Sequence, residues 1–141
     1  MTLNEIPHIH TWLKEMLSSD PTLSAAVSGV YRGHVPKGKA LPAVVFSFLA
    51  AQDDLHGGGS ARIWTKCTFI VKVVGQTNND TTLQTIADRI EEVLHATAGA
   101  TGPIAVDYCI RRRPVYYQEN PAPETWFTHL GGEFELAARA V

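Results

Sequence analysis

Basic and aromatic residues are concentrated in one short stretch of the sequence, just before a proline-rich connection. The stretch contains Arg111, Arg112, Arg113, Tyr116 and Tyr117. Guanidinium groups bind phosphates and aromatic rings stack on bases, so this composition suits nucleic-acid binding. Successive side chains of a strand point to opposite faces, however, so the arginines are expected to solvate an edge or to pair with Glu119, Glu124 or a neighbouring subunit. We favour this structural or interface role and predict no specific nucleic-acid binding.

A glycine-rich loop between two predicted strands is the second candidate site. It contains Asp53, Asp54, His56, Gly57, Gly58 and Gly59. The glycines resemble a phosphate-binding loop, but the Gly-Lys-Ser/Thr ending is missing and a strand follows instead of a helix. Such a loop is either a free hairpin tip or a surface that orders against a partner, with contact energy offsetting the entropic cost.

Residues with the spacing of a catalytic or metal site are not found in the sequence. The six histidines are scattered, without Cys-x-x-Cys or His-Glu-x-x-His spacing, and no serine lies in a nucleophile elbow. Cys67 and Cys109 each fall in a strand-like run, which predicts buried, reduced thiols without a disulfide. We therefore predict a protein that is not an enzyme, with no metal and no cofactor.

Length and composition predict one soluble domain spanning residues 1–141. The hydrophobic fraction is 45% and the charged fraction 18%, as in ordinary globular proteins. No apolar run approaches the roughly 20 residues of a membrane span, and the first residues do not read as a secretory signal. The net charge of -2 provides no general basic field for nucleic acid. The chain is expected to stay in the cytoplasm where it is made, without membrane contact.

Three segments have the apolar spacing of helices. The first runs from about Ile6 to Ser18, with Ile9, Trp12, Leu13, Met16 and Leu17 on one stripe. Asp20-Pro21 begins a short helical extension that stops near Gly29. Asn78-Asn79-Asp80 caps a further helix with its apolar face at Leu83, Ile86, Ile90, Val93 and Leu94.

Four segments have the pattern of strands. They are a continuous apolar run from Ala43 to Ala50 and alternating runs over Arg62–Gly75, from Ile104 to Arg111 and from Trp126 to Leu136. Asn120 to Pro123 is expected to be a connection because it contains two prolines. The element order predicts an α+β fold, a mostly antiparallel sheet of about four strands with two helices packed on one face.

The order of these segments around one basic loop resembles a known family. After the first helix come Val30-Tyr31-Arg32-Gly33-His34-Val35-Pro36 and then Leu41-Pro42-Ala43-Val44-Val45-Phe46. The glycine loop, the strand from Arg62, the helix ending Ala87–His95 and the final strand follow. Over nearly its whole length the chain resembles the tail terminator, or tail-completion, proteins of long-tailed bacteriophages. Lys37-Gly38-Lys39 makes the loop more basic than that pattern.

The resemblance implies a structural virion protein assembled in the host cytoplasm and located at the head-tail junction. Such a protein forms a homo-oligomeric ring, commonly a hexamer, that caps the tail tube, stops tail polymerisation and joins the tail to the neck. Its partners are the tail tube protein and a head-neck stopper or connector protein, and DNA passes through the lumen. Asp53, Asp54 and His56 are then predicted to contact a neighbouring subunit or the tube. The region from Arg111 to Glu124 is the second predicted contact patch.

Three alternatives remain open. Another head-tail connector or neck-ring subunit would share the fold and differ in its partners above and below. A small-ligand-binding α+β domain would need a pocket with convergent polar groups. A DNA-binding module ranks third, supported by Arg111–Arg113 and Lys37–Lys39 alone.

Overall fold

The computed structural model describes residues 4–55, 62–76 and 80–141. The predicted contact residues His56, Gly57, Gly58 and Gly59 and the predicted helix cap Asn78-Asn79 lie outside the described residues. The helices are α1 (Ile6–Ser18), α2 (Pro21–Ala26) and α3 (Asp80–Leu94). The strands are β1 (Val30–Arg32), β2 (Ala43–Leu55), β3 (Arg62–Gly75), β4 (Thr97–Thr101), β5 (Ile104–Ala122) and β6 (Thr125–Ala140).

The strands form one curled sheet of six in the order β1-β2-β3-β6-β5-β4. β1 runs parallel to β2, and all other neighbours are antiparallel. The prediction of an α+β fold with about four mostly antiparallel strands and two helices is therefore wrong. Two short edge strands were missed because three and five residues are too few to show an alternating pattern.

The helices form where the apolar stripes predict them. α1 begins at Ile6 and ends at Ser18, as predicted, with Ile9, Trp12, Leu13 and Leu17 buried. The Asp20 side chain caps α2 by accepting a hydrogen bond from the Leu23 amide, and Pro21 occupies the first turn, where its missing N–H costs nothing. α3 buries Leu83, Ile86, Ile90 and Leu94.

One face of the sheet, here the helix face, packs against α1 and α3. Its largest fully buried side chains are Phe46, Phe69, Phe134 and Leu136. Cys67 and Cys109 lie in the same core and are free thiols, as predicted. Burial raises the pKa of each thiol to about 12, so neither is a reactive thiolate near neutral pH. The opposite face is called the outer face below.

Two long hairpins extend the sheet at opposite ends. β3 pairs with β6 from Thr65 opposite Ala138 to Gly75 opposite Thr128. The β2–β3 hairpin therefore continues past the carboxyl end of β6, and the β5–β6 hairpin continues past the carboxyl end of β3. Both are longer than predicted, because β2 runs on to Leu55 and β5 runs through Pro114 and Pro121 to Ala122.

Candidate interaction surfaces and an outer-face cavity

The β2–β3 hairpin carries the first predicted site. Asp53 and Asp54 lie within β2 and not in a loop, because cross-strand partners hold them there. The Thr65 hydroxyl donates to Asp53 Oδ1 at 2.8 Å, and Lys66 Nζ lies 2.8 Å from Asp54 Oδ2. Around them the hairpin exposes large apolar side chains, namely Phe48, Leu49, Leu55 and Ile63, each at least 42% exposed. Exposed apolar residues gathered on one hairpin are typical of a protein interaction surface.

The three arginines of the second site are all ion-paired within the chain. Arg111 Nη1 lies 3.0 Å from Glu91 Oε2, Arg112 Nη2 lies 2.7 Å from Glu135 Oε2, and Arg113 Nε lies 2.6 Å from Glu133 Oε2. Their partners come from α3 and β6, not from Glu119 or Glu124 as the sequence suggested. Each guanidinium is thus largely neutralised, which weakens any attraction to phosphates.

Glu135 shows how firmly one of these pairs is held. Burial alone would raise its pKa, but hydrogen bonds from Arg112 and Tyr108 outweigh burial and lower it. Burial and the hydrogen bond to Glu135 together raise the pKa of Tyr108 to about 12. The carboxylate therefore stays ionised and paired over the physiological range.

Tyr116 and Tyr117 are separated by the alternation of the strand. The Tyr116 hydroxyl donates to Asp80 Oδ2 at 3.2 Å at the start of α3, on the helix face. Tyr117 lies on the outer face, where its ring stacks on His129 with the centroids 4.2 Å apart. The basic and aromatic cluster of the sequence is therefore not a single surface.

A cavity of about 560 Å³ opens on the outer face. The β1–β2 loop, residues 33–42, folds over the sheet and forms one wall. The remaining walls come from β2, β3, β5 and β6, and the apolar floor includes Val45, Val74 and Phe127. Polar side chains that line it are His34, Lys39, Lys72, Gln76, Tyr117, Glu119 and His129. Its volume falls within the roughly 300–1,000 Å³ range of ligand pockets.

His129 lies beneath Tyr117 with only 7% of its surface exposed. Its Nε2 is 2.6 Å from Glu119 Oε1, while its buried Nδ1 has no hydrogen-bond partner within the described part of the chain. Burial, helped by Lys72, lowers the pKa of His129 despite the opposing effect of Glu119. The ring is thus neutral at pH 7, with its proton on Nε2 shared with Glu119. Nothing in the sequence singled out His129 as part of a site.

The cations at the cavity have no carboxylate partners. Lys72 Nζ contacts the Tyr117 hydroxyl at 2.5 Å and lies 4.9 Å from the ring centroid, and Lys39 is exposed on the loop. Among the lysines and arginines whose side chains the structure describes, those without an ion pair are Lys14, Arg32, Lys37, Lys39 and Lys72. Lys39 and Lys72 line the cavity, whereas Lys14 and Arg32 contact Val30 and His10 where α1 meets β1.

The described residues show neither a metal-binding group nor a helix that could span a membrane. They contain no group of three or more histidine, cysteine, aspartate or glutamate side chains placed to hold a metal ion. None of the helices in those ranges has the length and apolar character needed to span a membrane.

Exposed apolar hairpins, such as those of this β-rich fold, are typical of a protein that works through contacts with other proteins. Residues 12–128 match the family described as tail completion protein gp17, and the chain belongs to that family. It is a bacteriophage tail structural protein, which confirms the resemblance seen in the sequence.

A solved structure supports the fold independently. The chain is similar to a chain of the virion of a native gene transfer agent particle, with a TM-score of 0.65 and 15% identity. The alignment covers 89% of this chain and 91% of that chain. No curated protein is significantly similar in sequence. Its family makes the protein a structural virion component that assembles with other tail proteins.

Proposed function

We propose that this protein is a tail terminator, whose ring caps the tail tube and stops its polymerisation. The ring is a hexamer that joins the tail to a stopper or connector protein of the head's neck. The observation that carries this proposal is the pair of exposed hairpins at opposite ends of the sheet, in a chain that belongs to a tail completion family.

Ring closure requires heterologous interfaces, in which each subunit presents two different patches. The two hairpins meet this requirement because they differ in composition and point in opposite directions. The β2–β3 hairpin offers Asp53 and Asp54 with exposed aliphatic side chains. The β5–β6 hairpin offers Tyr116, Tyr117 and Trp126, each at least 41% exposed. Aromatic side chains of this kind are common anchors in protein interfaces.

The predicted contact residues keep their roles within this proposal. Asp53, Asp54 and the segment His56–Gly59 contact a neighbouring subunit or the tube. The arginines Arg111, Arg112 and Arg113 act mainly through their aliphatic stems and hydrogen bonds, since their charges are paired inside the chain. Deleting His56 to Ser60 should therefore reduce ring mass or change tail length, and leaving both unchanged would contradict this assignment.

The position in the virion follows from the same function. The protein sits at the head-tail junction, with the tube on one side and the neck on the other, and DNA passes through the lumen. A surface with balanced ion pairs suits passage, because it does not hold phosphates. The arginine pairs of the outer face support this view.

The decisive experiment measures particle mass in solution and images the protein by negative stain, alone and mixed with tail tube protein. A terminator forms six-fold rings on tube ends and fixes tube length. A protein that stays monomeric and never binds tubes contradicts the proposal. A ring that binds a neck protein but ignores tubes would instead identify the alternative, a connector or neck-ring subunit.

A further inference from the structure

The outer-face cavity has the chemistry of a receptor for an acidic and apolar segment. Its floor is apolar, with Val45 and Val74 at most 6% exposed, and its wall is the loop that covers them. Two ammonium groups, those of Lys39 and Lys72, flank this floor. The one carboxylate lining the cavity, Glu119, is already engaged by His129 at 2.6 Å.

Six other cations of the described residues are poor competitors for such a segment, because each is already paired with a carboxylate. Lys66, Arg89, Arg111, Arg112, Arg113 and Arg139 each have a carboxylate within 3.0 Å. An approaching acidic group gains most electrostatic energy beside a cation that has no partner. At a paired cation, the existing ion pair must first be broken. The cavity is therefore the preferred docking point for negative charge on this side of the sheet.

A segment with the matching chemistry lies in the same chain, at the far end of the sheet. Asp53 is exposed, and no cation pairs with it within the described ranges. Asp54 keeps 29% of its side chain exposed beside Lys66, and the next residue, Leu55, is 57% exposed. The β2–β3 hairpin and the cavity lie at opposite ends of the sheet, so the hairpin of one copy can reach only the cavity of another.

We propose that the outer-face cavity receives the Asp53–Leu55 segment of a neighbouring copy. The Asp53 carboxylate, which has no cation partner in the described ranges, lies beside Lys39 and Lys72, and Leu55 covers part of the apolar floor. The contact is heterologous, as a closed ring requires. This inference rests on the proposed ring-forming function and identifies one of its interfaces. It also gives the Lys37–Lys39 insertion a function, since Lys39 lies on the cavity wall whereas Lys37 does not.

Charge reversal on each side tests the contact. An acceptor variant, Lys39→Glu with Lys72→Glu, and a donor variant, Asp53→Lys with Asp54→Lys, should each raise the concentration needed for assembly at least about 10-fold, because like charges then face each other. A chain that carries all four substitutions should assemble again. Lys37→Glu is the matched control and should assemble as the unsubstituted chain does. Assembly is followed by native mass spectrometry, in the presence of tube protein if the free chain does not assemble.

Mixing the two defective variants gives a sharper result. The acceptor variant keeps an unsubstituted hairpin, which matches the unsubstituted cavity of the donor variant. The reversed hairpin of the donor variant likewise matches the reversed cavity of the acceptor variant. The mixture should therefore form mixed rings in which the variants alternate. Circular dichroism of each variant checks that a loss of assembly is not a loss of folding.

Several outcomes would overturn the inference. Rings of normal stability from both variants, or failure of the four-substitution chain and of the mixture to assemble, would show that the cavity is not the receptor. If the acceptor variant formed normal rings but lost affinity for duplex DNA, the cavity would be a phosphate site instead. Each of these results leaves the ring function standing, whereas an unsubstituted chain that never forms rings with tubes would reject both proposals.

Discussion

Asp20 joins two helices through a single carboxylate. Its Oδ2 accepts hydrogen bonds from the Leu23 amide and from Arg89 Nε, both at 3.0 Å, and Oδ1 accepts from Arg89 Nη2 at 2.6 Å. The hydrogen bonds from Arg89 lower the pKa of Asp20. In the unfolded chain the pKa of an aspartate is about 3.9, so the lower pKa of folded Asp20 means that its ionised carboxylate stabilises the fold above this pH. The stabilisation is lost as the pH falls through the pKa of the folded chain.

We predict that Asp20→Ala lowers the free energy of unfolding at pH 7 by about 1–2 kcal/mol, mainly through loss of the helix cap. The difference from the unsubstituted chain should shrink below about pH 4, where the carboxylate becomes protonated. Urea denaturation between pH 7 and pH 3 measures both effects. Asp88→Ala is the control, because Asp88 is exposed and accepts only from Gln84 of the same helix. Equal losses in the two variants would contradict the joining role of Asp20.

His129 predicts a second pH effect, of the same sign. Its pKa is lowered in the folded chain by burial, so the unfolded chain takes up the proton first as pH falls below about 6.5. Stability should therefore decrease from pH 7 to pH 5, and His129→Gln should reduce that decrease. The urea midpoint as a function of pH gives the measurement, with His34→Gln, an exposed residue, as control. An unchanged pH slope in His129→Gln would show that the histidine is not held neutral.

At the scale of elements, β3 and β6 approach so closely that one position has no room for a side chain. A Cβ on Gly131 would lie 2.1 Å from Val71 O and 2.5 Å from Lys72 Cα. Both are backbone atoms of the neighbouring strand and cannot rotate away. We predict that Gly131→Ala lowers the free energy of unfolding by about 3 kcal/mol or more, at or above the upper end of overpacking effects.

Thermal and urea denaturation of Gly131→Ala measure that loss. Gly132→Ala is the matched control, since its nearest contacts are 3.1 Å to a flexible arginine side chain and 3.2 Å to a backbone oxygen. Gly132→Ala should lower the free energy of unfolding clearly less than Gly131→Ala does. If the two variants were equally stable, the close approach of β3 and β6 would not constrain the sheet.

The elements also show what the sequence could and could not reveal. The stripe Ile9, Trp12, Leu13 and Leu17 located α1 because a long amphipathic helix repeats its apolar face several times. β1 and β4 gave no such signal. Pro121 suggested a connection, but β4 pairs with β5 only as far as Cys109, and the rest of β5 has one unpaired side in the described sheet, where proline is tolerated. The cavity could not be predicted, because it joins a loop near Lys39 to strands at Lys72, Tyr117 and His129 that meet only through the sheet topology.

On the scale of the whole molecule, one face of the sheet is closed by helices, and the other stays open, with its cations outside the cavity paired to carboxylates. The outer face carries Lys66 with Asp54, Arg112 with Glu135, Arg113 with Glu133 and Arg139 with Asp107. Outside the cavity, this face has weak long-range attraction for a polyanion, since each of these four cations lies beside an anion. This arrangement fits a protein that lets DNA pass and keeps its strong contacts for other proteins.

The last prediction tests this balance directly. Glu133→Gln with Glu135→Gln removes the partners of Arg113 and Arg112 without changing side-chain size, so two guanidinium groups become available to phosphates. The unsubstituted chain should bind duplex DNA weakly, and the variant should bind more tightly, with a salt dependence steeper by up to about two counterions. Fluorescence anisotropy at several salt concentrations measures both.

Glu15→Gln with Glu124→Gln is the control. It changes the net charge equally, at exposed carboxylates that have no cation partner in the described ranges, and it should leave the salt dependence of DNA binding unchanged. Equal slopes for both double variants would mean that net charge, and not the pairing of the arginines, governs contact with DNA.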